Sequence, residues 1–124
     1  MKITCGTDII EIDRIKEDIE HIGKAFIDRI FNEKEIQYCE SKKSQKYQHY
    51  AARFAAKEAV FKAISHQLED KFSITWKDIE ITNDKNGRPN IEIFGIDKEN
   101  IESIDISLSH CKEYAIANVT IIWK

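Results

Sequence analysis

Tyr50-Ala51-Ala52-Arg53-Phe54-Ala55-Ala56-Lys57-Glu58-Ala59-Val60-Phe61-Lys62-Ala63-Ile64 is the stretch on which the fold turns. Alanine is the strongest helix former, and apolar residues here cover most of the helical circumference rather than one stripe. The pattern predicts a helix over about Gln45 to Ser65, packed on several sides. Glu58 and Lys62, spaced i, i+4, fall on one face about one turn apart. An exposed ion pair worth a few tenths of a kcal/mol would explain them. However, Ala55, Ala59, Val60, Phe61 and Ala63 around them are apolar, and charges amid packing surface need partners.

Toward the N-terminus, Lys2 to Ile12 reads as an opening strand, carrying Ile3, Ile9, Ile10 and Ile12. Asp8 is its anomaly: an acid beside three isoleucines within four positions, explained by a solvent-facing strand position only if the alternation were clean. Two carboxylates suit magnesium, which takes oxygen ligands and keeps waters and substrate phosphates. Spacing leaves open whether Asp8 and Glu58 meet. Asp13 is expected to cap a helix through Arg14, Ile15, Ile19 and Ile22, with Gly23 as a stop or bend. Asn32-Glu33-Lys34-Glu35 has the form of a capping box and starts a second helix that ends near Ser41-Lys42-Lys43-Ser44.

Toward the C-terminus the pattern changes. Ile79-Glu80-Ile81 and Ile91-Glu92-Ile93 flank the turn-rich Asn83 to Pro89, and two further strands, Ile104 to Leu108 and Tyr114 to Ile121, flank Ser109 to Glu113. Helices first and hairpin-linked strands later predict an α+β fold, with helices packed on a small antiparallel sheet. Four glycines, one proline and no repeat or composition shift point to one unit over residues 1–124.

Composition narrows the function. A net charge of −3 gives no general reason to expect nucleic acid. Cys5, Cys39 and Cys111 are odd in number and lack CxxC spacing, which favours free thiols over disulfides or a zinc site. No signal peptide is visible, and no run approaches the roughly 20 apolar residues of a membrane span, so a cytoplasmic protein is expected.

Gly6-Thr7-Asp8-Ile9-Ile10-Glu11-Ile12-Asp13-Arg14, followed by Arg53-Phe54-Ala55-Ala56-Lys57-Glu58-Ala59-Val60-Phe61-Lys62-Ala63, resembles the holo-acyl-carrier-protein synthases of the 4′-phosphopantetheinyl transferase superfamily. G-x-D and F-x-x-K-E-A-x-x-K-A form a paired signature. Arg29 to Glu35, Asn86-Gly87-Arg88-Pro89 and Ser107-Leu108-Ser109-His110 extend the likeness over nearly the whole chain. The resemblance implies transfer of the phosphopantetheine arm of coenzyme A to a serine of apo-acyl carrier protein, for fatty-acid synthesis, releasing adenosine 3′,5′-bisphosphate. It implies Mg2+ held by Asp8 and Glu58, with Lys62 beside the pyrophosphate, where it offsets charge or donates a proton. Glu58 is also a candidate general base, although a metal-bound carboxylate is acidified and poor at that task.

By the same resemblance, Arg53, Gly87, Arg88, Pro89 and His110 are expected at the coenzyme A nucleotide, against the alternatives of a structural arginine, a plain hairpin turn and a structural histidine. Arg14, Lys16 and Lys24 are expected to dock the acidic carrier protein, and a homotrimer with active sites between subunits is implied. The chain departs from the family after Ala63: a glycine-rich turn is replaced by Ile64-Ser65-His66-Gln67-Leu68-Glu69-Asp70, along which the helix is expected to run on, and His66 is not assigned a ligand role. The competing reading is a non-catalytic coenzyme A or carrier-binding module, yet Asp8, Glu58 and Lys62 are all retained. A different phosphotransfer enzyme lacks support, since no Gly-rich loop ending in Lys-Ser/Thr occurs. A purely structural interaction domain explains each feature only singly.

Overall fold

The computed structural model describes residues 1–68 and 73–124. The elements are β1 (Lys2–Glu11), α1 (Ile12–Ile22), α2 (Lys24–Ile30), α3 (Glu33–Glu40), α4 (Lys46–Ile64), β2 (Ile79–Asn83), β3 (Pro89–Ile93), β4 (Ile101–His110) and β5 (Tyr114–Trp123). The α+β expectation holds. The opening strand, however, joins the C-terminal hairpin in one antiparallel sheet of order β1-β5-β4, while β2 and β3 form a separate two-stranded sheet. Asp8 is registered with Ala117 and Ile10 with Ala115, so the first and last strands of the chain share one face.

Helix α4 packs across that face. Tyr50, Ala51, Ala55, Ala56, Ala59, Val60, Ala63 and Ile64 are all fully buried around it, as the apolar circumference predicted. Its small alanines let the sheet come close. At Gly6 the approach is at its limit, because a Cβ there would lie 1.8 Å from the Ala59 carbonyl oxygen and 3.1 Å from the Ala63 nitrogen. Only glycine lets strand backbone rest on helix backbone in this way.

That crossing resolves the irregular alternation of β1. Gly6 and Ile10 are buried toward α4 and Asp8 is half-buried on the same side, whereas Ile3 and Ile9 point outward, 59% and 61% exposed. Asp8 is therefore not on the solvent face.

The capping box of α3 is present: Glu35 Oε1 accepts the Asn32 backbone N–H at 2.8 Å. Gly23 adopts φ +79° and bends the chain from α1 into α2, a short helix absent from the sequence expectation. Two expectations need correction. Helix α1 begins at Ile12 with Glu11 as N-cap, not Asp13, because β1 runs straight into it and the Ile12 N–H donates to the Glu113 carbonyl at 2.9 Å. Asp13 instead lies in the first turn, where its charge suits the helix dipole. After Ile64 the α-helix does not run on but tightens to a 3-10 turn, Ser65–Gln67; Glu69 and Asp70 lie outside the described residues. His66 packs edge-on against Trp123, ring centroids 4.7 Å apart. Cys5, Cys39 and Cys111 are unbridged.

Candidate functional site

The β1–α4 crossing brings Asp8 to Lys62. Lys62 Nζ donates to the Thr7 carbonyl at 2.7 Å and lies 3.3 Å from Asp8 Oδ1. Although Lys62 and Glu58 are one turn apart on α4, the lysine is drawn to β1 and not into an i, i+4 pair. Glu58 is engaged elsewhere: its Oε1 accepts the Trp76 indole N–H at 3.0 Å. Glu58 also lines a cleft of about 560 Å³ with Arg29, Phe61, Leu68, Ile74 and Trp76. The cleft is largely apolar, with Arg29 as a cation in its wall.

No cluster of three or more His, Cys, Asp or Glu side chains suited to a metal occurs among the described residues. The candidate donors are two carboxylates, Asp8 from β1 and Glu58 from α4, with Asp8 already facing the ammonium of Lys62 and Glu58 the indole of Trp76. A hard cation that completes its shell from water and substrate phosphate fits such a set, whereas a metal caged wholly by protein does not.

The five residues expected at the nucleotide are brought together. Arg53, Gly87, Arg88, Pro89 and His110 line a second cleft of about 250 Å³ between α4, the β2–β3 turn and the end of β4. Arg53 is only 2% exposed. Its guanidinium carbon stands 4.1 Å from the Tyr38 ring centroid, and Nη2 donates to Asn83 Oδ1. Among the described residues no acceptor meets the buried Arg53 Nε. A guanidinium donor left unmatched in a cleft is suited to an anion. Arg88 Nη2 donates to both Asp105 carboxylate oxygens, at 2.8 and 2.9 Å. Gly87 has φ +82° with open space around its Cβ position, so its backbone angle, not crowding, calls for glycine.

The sequence reading missed His49, Tyr38 and Asn83 in this cleft. His49 precedes Arg53 by one helical turn, and that spacing was the available signal. Its ring lies edge-on to His110, centroids 6.1 Å apart. Burial first, then the charges of Arg53 and Lys42, push the His49 pKa down to about 4, so the imidazole is neutral near pH 7.

The two clefts open on different sides of α4, because five residues separate Arg53 from Glu58, about 140° around the axis. Among the described residues, the expected nucleotide residues line one of these clefts and Glu58 the other. The remaining basic residues are exposed: Arg14 and Lys16 on α1 and Lys24 at the start of α2. Lys24 pairs with Asp28 at 2.7 Å, and Lys16 stands 5.5 Å from the Tyr47 ring centroid.

Residues 4–119 match the family model of the 4′-phosphopantetheinyl transferase superfamily. A holo-acyl-carrier-protein synthase of Ruminiclostridium cellulolyticum is 47% identical, over 98% of this chain and 92% of that protein. One from Protochlamydia amoebophila is 42% identical over 94% and 95%. Among solved structures, the Helicobacter pylori holo-acyl-carrier-protein synthase in complex with coenzyme A superposes with a TM-score of 0.82 at 30% identity, covering 95% of this chain and 99% of that one. The Bacillus anthracis enzyme, in complex with coenzyme A (3′,5′-ADP), gives 0.79 at 33% identity, covering 95% and 94%. The chain belongs to the 4′-phosphopantetheinyl transferase superfamily.

Proposed function

We propose that this chain is a holo-acyl-carrier-protein synthase that moves the 4′-phosphopantetheine arm of coenzyme A to a serine of apo-acyl carrier protein, with Mg2+ held by Asp8 and Glu58. The observation that carries the reading is the crossing at Gly6, which sets Asp8 of β1 beside Lys62 of α4, one turn from Glu58. In the reaction a serine O–P bond forms, the pyrophosphate P–O bond breaks, and adenosine 3′,5′-bisphosphate leaves with the electron pair. The bound cation would neutralise charge on the pyrophosphate oxygens as they share in the displacement. Lys62, half-exposed and held among the described residues by Thr7 and Asp8, is placed to turn its ammonium toward the departing phosphate. Glu58 serves as ligand first; the serine proton leaves through a water or another base.

Arg53, Arg88 and His110, with the backbone at Gly87 and Pro89, hold the nucleotide end of coenzyme A; the buried, unmatched Arg53 Nε supports this assignment. Arg14, Lys16 and Lys24 dock the carrier. The two clefts face different sides of α4, and the outer sheet face leaves Ile3, Ile9, Tyr114 and Ile116 exposed. Both facts support a homotrimer in which the nucleotide cleft of one copy completes the carboxylate site of its neighbour. No helix among the described residues is long and apolar enough to cross a membrane, and we place the activity in the cytoplasm.

The test is to incubate the protein with coenzyme A, apo-acyl carrier protein and Mg2+ and to weigh the carrier. A gain of one phosphopantetheine is expected, abolished by chelator and in Asp8→Ala and Glu58→Ala. A gain that persists in both variants sinks the metal assignment, and no gain with any of several carriers sinks the function.

A further inference from the structure

Glu58 is a flexible side chain on the wall of an open cleft, and something must aim it. Its partner is distant in sequence. Trp76 lies in the 3-10 turn Trp76–Asp78 that leads into β2, and its indole N–H is the donor that meets Glu58 Oε1 at 3.0 Å. The turn is itself fixed by a capping box, in which Asp78 Oδ2 accepts the Thr75 N–H at 2.7 Å. The indole packs against Phe54, ring centroids 6.2 Å apart, with the Arg29 guanidinium 5.9 Å from the Trp76 ring centroid.

The residue before Glu58 grips the other end of the same tryptophan. Lys57 Nζ donates to the Trp76 carbonyl at 2.9 Å and to the Ile30 carbonyl at 2.8 Å, and forms a 2.7 Å ion pair with Glu35 Oε1. An ammonium has three protons, and all three are placed. The Lys57 and Glu35 side chains are both 0% exposed. Glu35 also accepts the backbone N–H of Ile81 at 2.8 Å, tying β2 to the same point. Two consecutive residues of α4 thus hold Trp76 by its carbonyl and by its indole N–H.

We propose that Trp76 is a positioning residue for Glu58, seated by the buried Lys57–Glu35 pair, and that it aims the carboxylate at the cation site by occupying one of its oxygens. The inference rests on the reading of Asp8 and Glu58 as the metal pair. Carboxylate ligands are held in register by such outer partners, whose loss costs roughly 10–100-fold in metal affinity or activity. Trp76→Phe is the informative variant, since it keeps one aromatic ring against Phe54 and Arg29 while removing the N–H donor with the second ring.

The experiment titrates Mn2+, followed by electron paramagnetic resonance, into wild type, Trp76→Phe and Glu58→Gln in the presence of coenzyme A. Trp76→Phe is expected to weaken Mn2+ binding about 10-fold. The Mg2+ concentration for half-maximal rate should rise by a similar factor, with the KM for coenzyme A within about twofold. Wild-type Mn2+ affinity in Trp76→Phe, together with lost affinity in Glu58→Gln, overturns the positioning role and leaves the metal pair standing. Wild-type affinity in Glu58→Gln overturns the metal pair itself and this inference with it. A second measurement needs no folded Trp76 variant: in 15N-tryptophan-labelled protein, Mg2+ should shift the Trp76 indole resonance and leave that of Trp123 in place. A Trp76 resonance indifferent to saturating Mg2+ also overturns the role.

Discussion

Lys57 and Lys62 stand five residues apart on one helix, and each pairs with an acid from another element. Lys57 meets Glu35 at 2.7 Å with both side chains 0% exposed, and its other two protons go to backbone carbonyls. Lys62 meets Asp8 at 3.3 Å with side chains 55% and 20% exposed. The first pair is saturated, walled in and joined to α3, β2 and the turn at Trp76. The second is loose, and its lysine reaches solvent. Burial makes a charge pair a constraint on the fold, since either partner alone would be a stranded ion; exposure leaves a pair free to exchange partners with a substrate. Burial also pushes the Lys57 pKa below the ordinary lysine value, against the opposing pull of Glu35.

The contrast can be broken most sharply at Lys57. Lys57→Met leaves Glu35 buried without its counter-charge and should cost about 3–5 kcal/mol in a urea melt. Adding Glu35→Leu should recover only part of the loss, because it removes the stranded charge but also the acceptor of the Asn32 and Ile81 N–H groups. A single variant as stable as wild type would mean that the pair is not a structural constraint. Lys62→Ala should do the reverse: stability within about 0.5 kcal/mol of wild type, and kcat in the carrier-mass assay lower by roughly 10²–10³-fold. If Lys62→Ala unfolds the chain, or leaves kcat intact, the division of labour fails.

Gly6→Ala probes the crossing on which the loose pair depends. The new Cβ would lie 1.8 Å from the Ala59 oxygen, so β1 must lift from α4. Overpacking of this kind costs about 1–3 kcal/mol, and a displacement of Asp8 by ~1 Å should lower kcat by roughly 10²-fold. Wild-type activity in Gly6→Ala would show that the close approach does not place Asp8.

The smallest effect concerns the nucleotide cleft. The His49 pKa is held near 4 in the fold, against about 6.5 when the chain is unfolded. Between those values the unfolded chain takes up the proton and the folded one does not, so His49 subtracts stability as pH falls from about 6.5 toward 4. Wild type should lose more stability than His49→Gln across that window, measured as denaturant midpoints. Parallel curves would mean that His49 does not titrate under this constraint.

Much of this was written in local pattern. The α4 helix, the capping box at Asn32, the bend at Gly23 and the β2–β3 and β4–β5 hairpins each depend on neighbours within a few residues, which is why they could be read in order along the chain. The residues Arg53, Gly87, Arg88, Pro89 and His110 were named by motif, and they converge on one cleft. What failed to show was anything set by partners far away. Glu58 and Lys62 looked like each other's i, i+4 partners, yet each turned to a different distant group, Trp76 and Asp8. Tyr38 and Asn83 passed unnoticed because nothing local marks them, and His49 had only its one-turn spacing from Arg53 as a mark.

The sequence by itself determined the helices other than α2, the hairpins, the family motifs and the two acids proposed as metal ligands. Periodicity and turn chemistry are short-range, and motifs are read as strings. Only the tertiary structure decided that β1 lies on α4 at Gly6, that Asp8 faces inward, and that Lys57 rather than Lys62 is the buried lysine. Those outcomes depend on which backbone can approach which, and on which charge finds enough donors and acceptors to be taken out of water.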